Sequence, residues 1–117
     1  MSRISDWLSL ARRAGRGNAW VHQGMCSVYM RYGQRIINGV RCRTIEVANV
    51  ADLPEAEKGR GHFRDFMVEL ESLVEGETLY VENVTTERLE AILRRHGFQR
   101  VPEHEADLCF FKTVPTP

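Results

Sequence analysis

The segment Arg43–Val74, RTIEVANVADLPEAEKGRGHFRDFMVELESLV, decides how the rest of the chain is read. β-Branched and apolar residues dominate Thr44–Val50, which predicts a strand, and Pro54 ends regular structure after it. Phe63, Phe66, Met67, Leu70, Leu73 and Val74 then recur at helical spacing, so an amphipathic helix follows. Between strand and helix lies Lys58-Gly59-Arg60-Gly61-His62-Phe63. Glycines there allow a sharp turn and close approach of backbone N–H groups, and a helix N-terminus adds orphan donors and the positive end of its dipole. Lys58, Arg60 and Arg64 place positive charge at the same spot. The natural guest is an anion, with phosphate the best match.

Upstream, Ile4, Trp7, Leu8 and Ala11 mark a short helix over Ile4–Ala14, with Ser2 or Ser5 as N-cap and Gly15-Arg16-Gly17-Asn18 ending it. Trp20–Gly24 reads as either strand or loop. From Cys26 a period of two begins, with Cys26, Val28, Met30 and Tyr32 on one side, and Gly33 is the expected break or bulge. Asn38-Gly39 predicts a type I′ hairpin returning as Val40–Val50.

Downstream, Glu75-Gly76-Glu77 reads as a turn and Thr78–Val84 as a strand. Thr85 or Thr86 caps a helix over Glu87–His96, and Gly97 with Phe98 supplies a Schellman ending. Two last strands, Phe98–Val101 and Leu108–Thr113, flank the acidic loop PEHEAD, and 114–117 form an extended tail. Helices crossing between strands, with hairpins before and after, predict one α/β (α+β) domain over 1–117. Its sheet should be mixed, mostly antiparallel and flanked by helices.

The chain has 117 residues, 43% hydrophobic and 27% charged, ordinary values for a soluble globular domain. No apolar run approaches the roughly 18–20 residues that span a bilayer, and the first residues lack a secretory apolar core. Cys26, Cys42 and Cys109 are odd in number and scattered, which fits reduced thiols and a cytoplasmic setting. The four histidines show no metal-ligand spacing, so no metal is expected. Zero net charge conceals a split: residues 1–43 hold eight arginines against Asp6 alone, and the remainder balances them with an acidic excess. Either the fold brings the two parts together, or an acidic partner or a second subunit meets the basic half.

Two segments resemble the GNAT superfamily of acetyl-CoA-dependent N-acetyltransferases, and the resemblance covers about residues 26–113. One is the glycine loop, similar to the family's Gln/Arg-x-x-Gly-x-Gly/Ala at Lys58 and Gly61, with Phe63 in place of the small residue. The other is TLYVENVTTERLEAILRRHGFQRV, similar to the family's strand, helix and Gly-Phe strand start. The resemblance implies a GNAT-like sheet with a shortened N-terminal part, and acetyl-CoA as cofactor. It implies that Ala48, Asn49 and Val50 line the pantetheine arm, and that Lys58, Gly59, Arg60, Gly61, His62 and Phe63 hold the pyrophosphate. Glu46 and Glu82 become the candidate bases, and a strand N–H, that of Val50, the oxyanion donor. The family's helix tyrosine is replaced by Leu93, and Thr86 stands at a position usually held by Asn; thiolate loss would then rely on water, on Tyr80 or Tyr29, or on the thiol's own modest pKa. The short N-terminal part implies an open acceptor site suited to a protein amine or to completion in a homodimer. Short chains of this kind resemble bacteriophage products, acting in the host cytoplasm.

The first functional expectation is therefore acetyl transfer to an amine, on a protein before a small molecule. The alternative is a catalytically inactive module on the same fold that modulates a host protein by contact. Nucleic-acid binding, through arginines interleaved with Trp20, Tyr29 and Tyr32, ranks last, and no membrane partner is expected.

Overall fold

The computed structural model describes residues 2–102 and 108–116. It consists of α1 (Arg3–Ala14), β1 (Gly17–Gln23), β2 (Cys26–Ile37), β3 (Val40–Val50), a 3-10 turn (Glu55–Glu57), α2 (His62–Leu73), β4 (Thr78–Val81), α3 (Glu87–Arg95), β5 (Gln99–Arg100) and β6 (Phe110–Thr113). The strands form one mixed sheet in the order β1-β2-β3-β4-β6-β5. Among the described residues only β3 and β4 run parallel; the other pairs are antiparallel. The protein is thus an α+β molecule with a mostly antiparallel sheet. No helix among the described residues is long and apolar enough to cross a membrane.

Local chemistry explains most boundaries. The Ser2 hydroxyl accepts from the Ser5 N–H, so Ser2 rather than Ser5 caps α1. Trp20–Gly24 resolves as part of β1, paired along its length with β2. Asn38 and Gly39 both take positive φ (52° and 77°), as a type I′ turn demands. Gly97, at φ 87°, closes α3: the Phe98 N–H reaches the Leu93 carbonyl and the Gly97 N–H that of Arg94, the expected Schellman pair.

Three expectations shift. β2 runs through Gly33 without a break; the missing Cβ instead leaves room for the Glu46 carboxylate, 3.5 Å from where a Cβ would sit. The bulge lies on β3, where Ala48 is the extra residue between the pairs Met30–Val47 and Tyr29–Asn49. The strand expected over Thr78–Val84 stops at Val81, because Asn83 turns left-handed (φ 59°). The last strands are also shorter than read, and most of PEHEAD lies outside the described residues.

Alternation along the strands creates two faces. Val28, Met30, Ile45, Val47, Leu79, Val81 and Phe110 meet Ile4 and Leu8 of α1, Phe66, Met67 and Leu70 of α2, and Leu93 of α3 in the main core. The helices therefore cover one face. The other face carries a smaller cluster of Ile37, Tyr80, Val101 and Cys109. Beside it sits an ionic network built on the buried Glu46 carboxylate, which accepts from the half-buried Arg35 through Nε (2.8 Å) and Nη2 (3.0 Å) and from the Thr44 hydroxyl (2.7 Å). Arg31 bridges Glu46 (3.3 Å) and Glu82.

Candidate functional site

The site begins where the parallel strands part. β3 and β4 stay in register from Thr44–Thr78 to Val47–Val81, and the Glu82 N–H makes a last bond to the Val47 carbonyl (3.1 Å). Beyond it the Ala48 bulge swings β3 one way and left-handed Asn83 swings the other chain away. The Asn83 amide pins the apex by donating to the Ala48 carbonyl (3.2 Å). A wedge-shaped cleft of about 710 Å³ opens from this point.

β3 supplies the floor. The Ala51 N–H bonds to the Ser27 carbonyl (2.9 Å), which makes Val28–Val50 a non-hydrogen-bonded pair of the antiparallel ladder. The N–H and C=O of Val50 consequently point away from β2, into the cleft. One wall is the N-terminus of α2. Its N-cap, Gly61, has φ 82° and no side chain caps the first turn, so the orphan N–H donors are available at the cleft. The facing wall is the start of α3, where the Thr86 hydroxyl accepts from the Leu89 N–H (3.1 Å). Two helix N-termini therefore border one space.

Positive side chains reinforce both walls. Lys58 and Arg64 line the α2 side and Arg88 the α3 side. Arg88 leans across so closely that a Cβ on Gly59 would lie 2.8 Å from its Nη2. Lys58 is held more firmly protonated by a hydrogen bond to Glu55 (3.0 Å). His62 Nε2 is 3.0 Å from Glu57 Oε2, which orients the imidazole at the rim.

Of the residues expected from sequence, Asn49, Val50, Lys58, Gly59, Gly61, His62, Phe63 and Glu82 line this cleft together. Ala48 sits at its apex, with its carbonyl committed to Asn83. Arg60 is exposed beside Glu57 (3.8 Å) and does not line the space. Glu46 lies off the cleft with its oxygens occupied by Arg35, Thr44 and Arg31. Neither Tyr29 nor Tyr80 lines it: Tyr29 lies near Trp20 (5.5 Å between centroids) and Tyr80 is buried in the smaller cluster. The fold adds Trp20, Asp52, Asn83 and Arg88, none of which sequence spacing alone brings to the loop. Arg88 carried a usable signal, since it follows the N-cap Thr86 by two residues and so had to stand on a first helical turn.

No protein-family model and no curated protein matches this chain.

Proposed function

We propose that the cleft binds acetyl-CoA and that the protein is an N-acetyltransferase of GNAT type acting on an amine. The observation that carries this reading is the parted parallel pair, which leaves the free backbone edge of β3 leading to an uncapped helix N-terminus behind a glycine loop. An extended amide-rich arm suits the first feature and a pyrophosphate the second. The residues fit such a group: Gly59 and Gly61 are left-handed, and Lys58, Arg64 and Arg88 supply charge from two elements. Phe63 packs its ring on the main core, which draws it away from the donors of the first turn.

Acetyl-CoA would supply an acyl group activated as a thioester. The Val50 N–H then stands as donor to the oxygen on which charge develops at the carbonyl. Glu82, lining the cleft where the strands part, is the better-placed base for the acceptor amine, and Arg31 fixes its carboxylate. Glu46 holds Arg31 and Arg35 in place and acts as a positioning residue. An acceptor on a protein is favoured because the cleft is broad and its Trp20 side is open, with Trp20 47% exposed.

One observation favours a second reading, a non-catalytic binder on the same frame: no tyrosine lines the cleft to protonate a departing thiolate. Calorimetric titration with acetyl-CoA, CoA and dephospho-CoA tests the cofactor site. Micromolar binding that weakens without the 3′-phosphate is the expected result, and no binding at millimolar ligand would overturn the reading. Mass-spectrometric detection of acetyl transfer to protein amines then separates the enzyme from the binder.

A further inference from the structure

β1 forms an edge of the sheet, and among the described residues its backbone bonds only to β2. The two-residue loop Gly24-Met25, with Gly24 at φ 60°, closes the hairpin on the pair Gln23–Cys26. Such loops close on a hydrogen-bonded pair, and the ladder alternates from there. Val21, Ala19 and Gly17 thus turn their polar groups toward β2, while Asn18, Trp20 and His22 aim theirs outward. All three outward residues are exposed.

Natural sheets guard such an edge with Lys, Pro, a bulge or a short strand. This one has none of them. GNAWVHQ contains no charged residue and no proline in a chain that is 27% charged, and its pairing with β2 is unbroken over seven residues.

The helix above the edge carries a single charge, Arg3, on the flank that faces away from α2. Arg12 of α1 donates to the Leu73 carbonyl (2.9 Å) and meets Glu77, which fixes that flank of α1 toward α2. The opposite flank follows from the helical repeat: Arg3, Trp7, Leu10 and Ala14 lie at i, i+4, i+7 and i+11, with Trp7 partly buried against the main core and Arg3, Leu10 and Ala14 exposed. Leu10 is 62% exposed there.

We propose that this edge is where two copies of the chain join, β1 against β1 about a two-fold axis, into one continuous sheet. The edge is self-complementary in that arrangement. Centred on Trp20, the antiparallel register sets Asn18 opposite His22 of the second copy and Ala19 opposite its Val21. Asn18, Trp20 and His22 then all fall at hydrogen-bonded positions, so every outward group meets an outward group. The paired strands themselves carry no charge, and the arginines nearest them, Arg3 and Arg16, lie at the ends of the seam rather than along it. Trp20, already in tilted contact with Tyr29 (54° between the rings), would lie beside Trp20 of the second copy, extending the aromatic row across the axis. The stripe holding Trp7 and Leu10 would be covered on the helical face. This inference uses no residue of the phosphate-binding walls, and it shares Trp20 with the acceptor side of the cleft, which the second copy would then border.

Hydrogen exchange on the unmodified protein, at low and high concentration, tests it alongside sedimentation mass. The expected result is a species of twice 13.5 kDa at high concentration, with the Asn18, Trp20 and His22 amides becoming protected as it forms. A monomer at every concentration would overturn the proposal, and so would a dimer whose 17–23 amides stay unprotected. Two variants add a second readout. Asn18→Pro removes an outward N–H without touching the β2 ladder, and Leu10→Glu charges the exposed stripe. Each is expected to raise the dimer dissociation constant by about tenfold or more while circular dichroism stays native. Folded variants that dimerise like the parent would place the interface elsewhere.

Discussion

Tyr80 shows how much one polar atom can matter. The side chain is 1% exposed, and its hydroxyl has no hydrogen-bond partner among the described residues. Arg35 lies over the ring, 4.6 Å from its centroid. Burial, and then the neighbouring Cys109 thiol, push the phenol well above its usual range. A raised acid pKa in the fold means that the unfolded chain loses this proton first as pH rises. The stabilisation is therefore complete below about pH 10 and declines above it, by up to about 1.4 kcal/mol per pH unit. Tyr80→Phe should raise stability by about 1 kcal/mol near neutrality, because it deletes a buried unpartnered hydroxyl. It should also flatten the alkaline decline relative to the parent, and urea unfolding across pH reads both effects. At the glycine loop, the proposed acetyl-CoA site predicts that Gly61→Asp weakens acetyl-CoA binding by tenfold or more. Its Cβ would lie 2.7 Å from Arg64 Nη2 in a backbone at φ 82°, and its carboxylate would repel the ligand's anion. The titration calorimeter used for the parent checks this directly.

Among the elements, the parting of β3 from β4 rests on two short devices, the Ala48 bulge and left-handed Asn83. Asn83→Ala removes both the amide bond to the Ala48 carbonyl and the preference for positive φ, at a cost of about 1–2 kcal/mol. Asn83→Gly keeps the backbone and loses only the bond, so it should retain more of the stability and more of the acetyl-CoA affinity. A cleft independent of this apex would show equal affinities for the two variants. These same devices mark the limit of what was legible. α2, α3 and the Asn38-Gly39 hairpin stood in the sequence because each is a local pattern: spaced apolar residues, a capping threonine, a left-handed turn pair. The glycine loop was legible for the same reason. The bulge was misplaced to Gly33 because glycine's local signal is ambiguous, while Ala48 bulges through a pairing that only the assembled sheet defines. Asn83 hid inside a run, TLYVENV, whose period reads as strand to its end.

At the scale of the whole molecule, part of the charge split of the chain is a folding device, since Arg12, Arg31 and Arg35 meet carboxylates of the acidic part. β2 contributes Arg31 and Arg35 from the basic half, and β3 and β4 return Glu46 and Glu82 from the acidic half; Arg12 reaches Glu77 in the same way. Sequence counting could show the imbalance but not its cancellation, which depends on which strands become neighbours. Glu46 is the keystone of that network, 3% exposed and shared by Arg31, Arg35 and Thr44. Removing it takes one carboxylate from guanidinium groups that are 37% and 30% exposed and still face Glu82, so Glu46→Ala should cost about 1–3 kcal/mol, chiefly the lost bonds to Arg35 and Thr44. That is a measurable part of the roughly 5–15 kcal/mol that holds a domain of this size together. The attraction gained by the buried Glu46 carboxylate is largely offset by its own desolvation, however, so replacing it together with Arg35 by apolar residues should restore much of the loss. Glu46→Leu with Arg35→Met is expected to lie well above Glu46→Ala alone in urea midpoint. It should still fall short of the parent, since Arg31 and the Thr44 hydroxyl each lose an acceptor. Equal loss in the single and double variants would mean that Glu46 stabilises through its backbone strand position rather than through charge.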